Sequence, residues 1–462
     1  MENIINKSKR FTVIGAGVSG TALALLARRL GYDVFVSEER ENLSPASLEK
    51  LKNASISFES GGHTARAFES EAIILSSGVS PNAACVLEAK RIGVPVIGEM
   101  DFAAPHLRAP VIGITGSNGK STLTSLVGHI LKKSGLKTGV GGNLGEAASL
   151  FTEEKFDCVV LELSSFQLYW ANNLKVAVGA VTNLAPDHID WHGSYEAYVA
   201  AKAKLFSLQD ETGWKIIQDR DREALSLTTS MAISRTAALS WEDKLKSASG
   251  AHIYMGEKGA FLRREGMESL LFMYDETTLL GRHNLENIAM ALSAARLFET
   301  PTTGDVKETL ADFRPLPHRC ELAGVIDGVT YIDDSKGTNV AASVTAMTSI
   351  KGRKIVILGG KGKGEDYAPL ADGVSLEADA AVLIGAEKNK IEAALREKGF
   401  TNIYKMADAG TQEMEDAVLT AKKLAKPGMV VLLSPACTSW DMYESYKKRG
   451  EHFRDVIRKL QD

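Results

Sequence analysis

The run Val111-Ile112-Gly113-Ile114-Thr115-Gly116-Ser117-Asn118-Gly119-Lys120-Ser121-Thr122 reads as an apolar strand that enters a glycine turn and leaves it as a helix. Without a Cβ, Gly116 and Gly119 let the backbone curl until several N–H groups point at one oxyanion. Lys120 adds a mobile positive charge, and Ser121 or Thr122 a hydroxyl for a divalent cation. Leu123, Leu126, Val127, Ile130 and Leu131 recur at helical spacing, and Gly135 stops the helix. Its positive dipole end therefore faces the turn. The match to the general phosphate loop is imperfect, because Ile114 stands where that pattern has glycine and Gly116 takes the tight turn instead. The alternative is a glycine-rich link with no ligand, which a Gly-Lys-Ser-Thr run at a helix start argues against. The segment points to a nucleoside triphosphate.

A second glycine turn opens the chain. Phe11 to Ile14 leads into Gly15-Ala16-Gly17-Val18-Ser19-Gly20, then a helix to Leu30 and a strand from Asp33 to Val36, with Glu38 and Glu39 beyond it. Taken alone, this fingerprint favours a dinucleotide. Lys7, Lys9 and Arg10 before an apolar run give a superficial likeness to a secretory signal, but Gly15, Gly17 and Gly20 interrupt that run and Arg28-Arg29 close it. No stretch is long and apolar enough to span a bilayer.

Strand-like and helical runs alternate throughout, which implies α/β units with mainly parallel sheets. A length of 462 residues accommodates about three such domains. Prolines at Ala103 to Pro110 and at Phe313 to Pro317 mark boundaries, giving domains at 1–106, 107–314 and 315–462. The polar stretch Asp210 to Asp275 reads as peripheral strands and loops. Strands are expected at Ala72–Leu75, Val94–Ile97, Cys158–Leu163, Ala177–Asn183, Thr330–Ile332, Lys354–Leu358, Ala380–Ile384 and Met429–Leu433. A net charge of -4 excludes a nucleic-acid or membrane surface as the theme of this chain. Cys85, Cys158, Cys320 and Cys437 are widely spaced and read as reduced cysteines of a cytoplasmic protein.

Three residues stand out chemically. Glu162 lies inside an apolar strand, where a carboxylate needs a cation: a Mg²⁺ near the phosphate loop or a structural lysine. His188 follows Asp187 after the next strand and suits either a divalent metal or loop backbone. Lys202 follows Tyr198 by four residues on an alanine-rich helix, and by sequence alone an ordinary solvated lysine is the simpler reading.

Taken together, the ordered motifs resemble the Mur ligases, the ATP-dependent amino-acid ligases of peptidoglycan precursor synthesis. They are Thr115–Thr122, Glu162–Gln167, Asn183 with Asp187-His188, the Lys202 segment, Gly281-Arg282-His283-Asn284, Pro317-His318-Arg319 and Asp334–Asn339. The resemblance spans the whole chain. Glu162–Gln167, Leu358–Lys363 and Leu433–Tyr443 resemble the branch of that family that adds D-glutamate. Tyr443 and Tyr446 depart from its usual phenylalanines, Lys448 from glutamate and Gly337 from alanine.

The resemblance implies three domains: a Rossmann-like UDP-binding domain, a P-loop ATPase-like domain and a C-terminal Rossmann-like domain that takes the amino acid. Under it the N-terminal turn binds UDP and not NAD, through Val18, Ser19 and Gly78 with Glu38 or Glu39 near the ribose or uracil. Asn143 and His188 face the muramoyl part. ATP falls to Gly116, Ser117, Asn118, Gly119, Lys120, Ser121 and Thr122, with Asn284, Asn287, Arg319, Asp334 and Lys336. Two Mg²⁺ ions are implied, one on Ser121 and Glu162, the other on His188 and a Lys202 carbamylated by CO₂. Lys120, Glu162, His188 and Lys202 are then the catalytic set, and Thr338, Lys363 and Ser434 hold D-glutamate. The implied substrate is UDP-N-acetylmuramoyl-L-alanine, and a monomer with no nucleic-acid or membrane partner is expected. A sister ligase or folylpolyglutamate synthase shares the ATP centre, but the N-terminal domain argues against the folate enzyme. A dehydrogenase leaves Lys120, Glu162 and Lys202 idle.

Overall fold

Alternating apolar residues at Phe11, Val13, Val34 and Val36 give two strands that bury both faces, and they form the centre of the first sheet. A computed structural model describes residues 10–226, 235–245, 250–277, 279, 281–298, 305–314 and 316–461. Lys7 and Lys9 lie outside these. The first sheet is parallel, with the strands in the order Ser57–Ser60, Asp33–Glu38, Arg10–Ile14, Ala72–Leu75 and Val96–Gly98. The helix Val18–Arg29 follows the glycine turn and buries Leu23, Ala24, Leu26 and Ala27 on the sheet.

The second sheet has nine strands, in the order Met267–Met273, Gly259–Arg264, Ala251–Met255, Arg235–Ser240, Trp214–Gln218, Val176–Val181, Val111–Thr115, Cys158–Glu162 and Thr138–Gly142. Strand periodicity splits its residues between two cores. Ile112, Ile114 and Val160 face the helices Lys120–Lys133 and Arg282–Leu297, while Val111, Val159 and Leu161 face the layer holding Leu205 and Phe206 of the helix Tyr195–Ser207. The stretch read as peripheral is more than that. Trp214–Gln218, Arg235–Ser240 and Ala251–Met255 extend the sheet in parallel, and only the hairpins beyond run antiparallel. These strands are largely buried but carry polar residues such as Lys215, Gln218 and His252, which hides them from a reading by apolar runs.

The third sheet orders its strands Glu321–Ile326, Val329–Asp333, Val430–Leu433, Lys354–Gly359, Ala378–Ile384 and Ile403–Lys405. The two edge strands escape sequence reading because one has small and exposed residues and the other is three residues long. The four inner strands are parallel, so Asp333, Leu433 and Gly359 end at one edge and deliver the loops that carry Asp334, Ser434 and Lys363. That edge is where ligands bind in open α/β sheets. No helix of the described residues is long and apolar enough to cross a membrane. The four cysteines are free thiols.

Candidate active site

Gly116 has φ +137°, and a Cβ there would lie 1.9 Å from Thr182 Oγ1, so both backbone and space require glycine. The turn is shaped by the neighbouring strand end: Ser117 N donates to Asn183 O at 2.8 Å, Asn118 N to Asn183 Oδ1 at 3.0 Å, and Thr182 Oγ1 to Asn118 O at 2.5 Å. Gly119, also left-handed, starts the helix that carries Lys120, Ser121 and Thr122. Lys120 curls back over the loop, donating to Gly116 O at 2.9 Å and Ser117 O at 2.8 Å.

Glu162 ends the adjacent strand, 2 % exposed. Its Oε1 accepts from Asn143 Nδ2 at 2.7 Å, while Oε2 is buried without a hydrogen-bond partner and no lysine or arginine pairs with it among the described residues. The structural-lysine alternative is therefore not realised. A buried carboxylate oxygen left bare is costly, and with the Ser121 hydroxyl at the start of the neighbouring helix it offers hard oxygen donors of the kind that fit Mg²⁺. Asn143, expected to face substrate, is exposed and also braces this carboxylate.

Lys202 is not a solvated lysine. It is 2 % exposed, donates to Gly116 O at 2.7 Å, and lies 4.5 Å from the centre of the Tyr198 ring. The Tyr198 hydroxyl is 3.0 Å from Ser117 Oγ, so one helical face meets the phosphate turn. Burial, then repulsion from Lys120, pushes the Lys202 ammonium well below its ordinary range. Burial also lowers Lys120, against the pull of Glu162 and Asp187. His188 takes a left-handed backbone (φ +52°) and packs edge-on against Phe166, ring centres 4.8 Å apart. Burial drives its pKa down to about 4, outweighing Asp187, so the imidazole is neutral and its lone pair available to a metal.

The third domain closes one side of this centre. Asp187 Oδ1 accepts from Lys363 Nζ at 3.0 Å and Oδ2 from Asn339 Nδ2 at 3.4 Å, and the same amide reaches Asn118 Oδ1 at 3.2 Å. A cavity of about 260 Å³ lies in the seam, lined by Asn118, Gly119, Thr122, His283, Asn287, Arg319, Asp334 and Gly337 among others. Arg319 Nε is buried without a partner. Asn287 Nδ2 is 3.5 Å from Asn284 Oδ1, the outer limit of a hydrogen bond, and the helix they share, Arg282–Leu297, is preceded by Gly281 at its N-cap. Lys336 sits 4.0 Å from the Tyr446 ring centre, and burial lowers its pKa to about 8.

Ser434 requires a correction. It is wholly buried, and its Oγ lies 2.7 Å from Asp334 Oδ2 and 3.0 Å from Ser343 Oγ, so the hydroxyl braces Asp334 and is not open to an amino acid. Asp334 also accepts from Cys320 N at 3.2 Å, and burial raises its carboxyl to about 6. Ser439 escaped the sequence reading. Its buried Oγ has no partner among the described residues, and the preceding Thr438 pairs with Lys361 beside Lys363. Thr338 is half-buried in the same loop cluster, its N–H donating to Lys336 O at 2.9 Å.

The N-terminal turn lies on the first sheet, apart from the phosphate turn. Val18 is 72 % exposed, Gly78 is left-handed at φ +92°, and Ser19 Oγ is 3.1 Å from Ser77 Oγ. The Glu38 carboxylate is engaged by Ala16 N at 2.6 Å and Arg40 N at 3.1 Å, and Glu39 is exposed. Ser77 hydrogen-bonds Glu99, and Gln167 Nε2 reaches Ser77 Oγ at 3.2 Å and Glu99 Oε2 at 3.4 Å. Gln167 also closes the capping box of the helix Ser165–Trp170. It thus ties the first turn to the strand that carries Glu162, a link that requires spatial proximity to see.

Residues 10–85 match the MurD N-terminal domain, 114–295 the Mur ligase middle domain, and 318–437 the Mur ligase glutamate ligase domain. The chain is 37% identical over 458 residues to the UDP-N-acetylmuramoylalanine--D-glutamate ligase of Pelotomaculum thermopropionicum, covering 98% of each. It is 35% identical to the protein of that name from Christiangramia forsetii, covering 98% of this chain and 100% of the other. This chain belongs to the Mur ligase family. Among solved structures, UDP-N-acetylmuramate-alanine ligase MurC from Thermotoga maritima shares the fold at TM-score 0.62 and 18% identity, over 98% of this chain and 99% of that one. A pseudomurein peptide ligase type C from Methanothermus fervidus does so at 0.62 and 20%, over 98% and 100%. As a Mur ligase, the chain accommodates its two extra phenols within the third domain. Tyr443 OH is 2.8 Å from His452 Nδ1, and Tyr446 lies against Lys336.

Proposed function

We propose that this Mur ligase joins D-glutamate to UDP-N-acetylmuramoyl-L-alanine, converting ATP to ADP and phosphate through an acyl phosphate. The observation that carries the reading is the convergence at one seam of the phosphate turn, the bare Glu162 oxygen and Lys363 of the third domain, in a chain that aligns end to end with relatives of that name. We assign residues 1–106 to the UDP-substrate, 107–314 to ATP and 315–462 to the amino acid.

A carboxylate is a poor electrophile until its oxygen is joined to phosphate as a mixed anhydride. Lys120 and the N–H groups of Gly119 to Thr122 gather the triphosphate, while Asn284 and Asn287 steady the nucleotide from the same domain and Arg319 and Lys336 from across the seam. Ser121 with Glu162, and His188 with Lys202, are the residues that would hold two Mg²⁺ ions. Bound there, the ions supply positive charge against the phosphate and carboxylate oxygens. An unmodified Lys202 ammonium repels a cation; its neutral amine, adding to CO₂ with loss of a proton, becomes a carboxylate-like donor. The burial that pushes the Lys202 ammonium well below its ordinary range supports this assignment. Asp334, braced by Ser434, faces the nucleotide cavity. Val18, Ser19, Gly78 and the Glu38–Glu39 segment receive the uridine diphosphate, Asn143 keeps Glu162 aligned beside the muramoyl end, and Lys363, Thr338 and Ser439 take the carboxylates of D-glutamate. Closure of the third domain over the seam excludes water from the acyl phosphate. The enzyme is proposed to act as a cytoplasmic monomer.

The test is phosphate release from ATP with UDP-N-acetylmuramoyl-L-alanine and each of D-glutamate, L-glutamate, L-alanine and meso-diaminopimelate. D-glutamate alone is expected to support turnover. Equal turnover with a sister substrate would overturn the amino-acid assignment.

A further inference from the structure

Two carboxylates at the seam have no role above: Glu286, whose oxygens are held by Arg220 and Trp241, and Glu365. Glu365 lies two residues beyond Lys363, and its Oε2 accepts from Val340 N at 2.9 Å, at the start of the helix Val340–Ser349. That helix is capped by Asn339, whose side-chain amide reaches Asn118 and Asp187. The other seam carboxylates are occupied. Both Asp187 oxygens accept, from Lys363 and Asn339; Asp334 accepts from Ser434 and Cys320; Glu162 belongs to the phosphate centre. Glu365 Oε1 accepts no hydrogen bond among the described residues. A cationic and an anionic side chain two residues apart on one anchored loop also match an amino-acid zwitterion, whose carboxylate and ammonium share a carbon.

We propose that Glu365 is a catalytic base of the ligation, receiving the ammonium of the incoming amino acid and taking its proton. The inference rests on the amino-acid ligase reading above. An ammonium has no lone pair to attack with, so the proton must leave first. One N–H bond breaks and its proton goes to Glu365 Oε1. The freed pair forms the C–N bond at the acyl-phosphate carbon, the C–O bond to phosphate breaks, and the second N–H proton leaves with the phosphate. The site is tuned for such a transfer: burial, then the Asp187 carboxylate, raises the Glu365 carboxyl to about 7, against the opposing effects of Val340 N–H and Lys363. The other titratable groups facing it are Tyr198 and Cys437, each of which feels its charge.

Glu365→Gln keeps the shape and the acceptor for Val340 N–H while removing the base. With D-glutamate the variant is expected to lose about 10²-fold or more in kcat, and the acidic limb of the wild-type pH profile is expected to disappear. Hydroxylamine, unprotonated at neutral pH, needs no base, so ATP-dependent hydroxamate formation from UDP-N-acetylmuramoyl-L-alanine should persist in the same variant. Loss of both reactions would show a structural role, and retention of both would show no role; either overturns the proposal. A wild-type protein that makes neither hydroxamate nor ligated product would instead overturn the ligase reading beneath it.

Discussion

Lys120 and Lys202 donate to the same acceptor, the carbonyl oxygen of Gly116, at 2.9 and 2.7 Å. Two ammonium groups buried on one oxygen repel each other, and the repulsion is relieved when Lys202 is neutral. Carbamylation goes further, replacing repulsion by attraction for Lys120 and for any cation in the centre.

Lys202→Ala is therefore expected to lose about 10- to 100-fold or more in activity, the scale seen when a metal site loses a supporting group. Acetate should restore part of it by filling the vacated position. Intact mass under bicarbonate and Mg²⁺ should show one added CO₂ on the wild type and none on the variant. A bare Lys202 with full activity in CO₂-free buffer would remove the carbamate from the account.

The two glycine turns lie on different sheets, so their ligands should separate by mutation. Lys120→Ala is expected to cost at least about 10²-fold in turnover, the scale for one charge-stabilising donor. Its affinity for the UDP-substrate, read by calorimetry without ATP, should stay within twofold of wild type on the order expected for an untouched site. Lost UDP-substrate affinity with turnover preserved would reverse the two assignments.

Ser434 and Ser439 should behave differently although they lie on one loop. Ser434→Ala removes a brace from buried Asp334, so it should cost about 1 kcal/mol in stability and raise KM for ATP. Ser439→Ala should raise KM for D-glutamate and leave that for ATP in place. Steady-state kinetics with each substrate varied in turn checks the pair; the opposite pattern would restore Ser434 as the amino-acid contact.

Burial, reinforced by Arg319, holds the His283 pKa down to about 4, while the unfolded chain titrates near 6.5. Between these values the unfolded state carries the proton and the folded state does not. Stability is thus fully present above about pH 6.5 and falls as pH drops toward 4. His283→Gln should flatten that part of the curve of denaturation midpoint against pH. An unchanged slope would show that His283 does not titrate as described.

Much of this was legible in the sequence because the decisive features are local. Gly116 to Thr122 encode a strand, a turn and a helix start within one short run, and the buried strands around Ile112, Val160 and Val178 are continuous apolar segments. What was not legible depends on contacts between distant residues. The identity of Lys202 as a buried amine is set by Gly116, far away in sequence, and its alanine-rich helix has no strong apolar face to announce which side is inward. Ser434 and Ser439 are equivalent as letters; only the position of Asp334 shows that one hydroxyl is spent. The extension of the central sheet through Trp214 to Met273 was hidden for a related reason, since its strands mix polar with apolar residues, such as Lys215 and Gln218 in the first and Glu268 and Ser269 in the last.

The central claim is that one seam joins ATP cleavage to amide formation with D-glutamate. The most direct measurement is phosphate release by the wild-type protein with ATP, Mg²⁺, UDP-N-acetylmuramoyl-L-alanine and D-glutamate, omitting one component at a time while product is followed by mass. The account predicts one phosphate per ligated product and no sustained release when any component is missing. Sustained phosphate release without D-glutamate, or ligation without ATP, would contradict it.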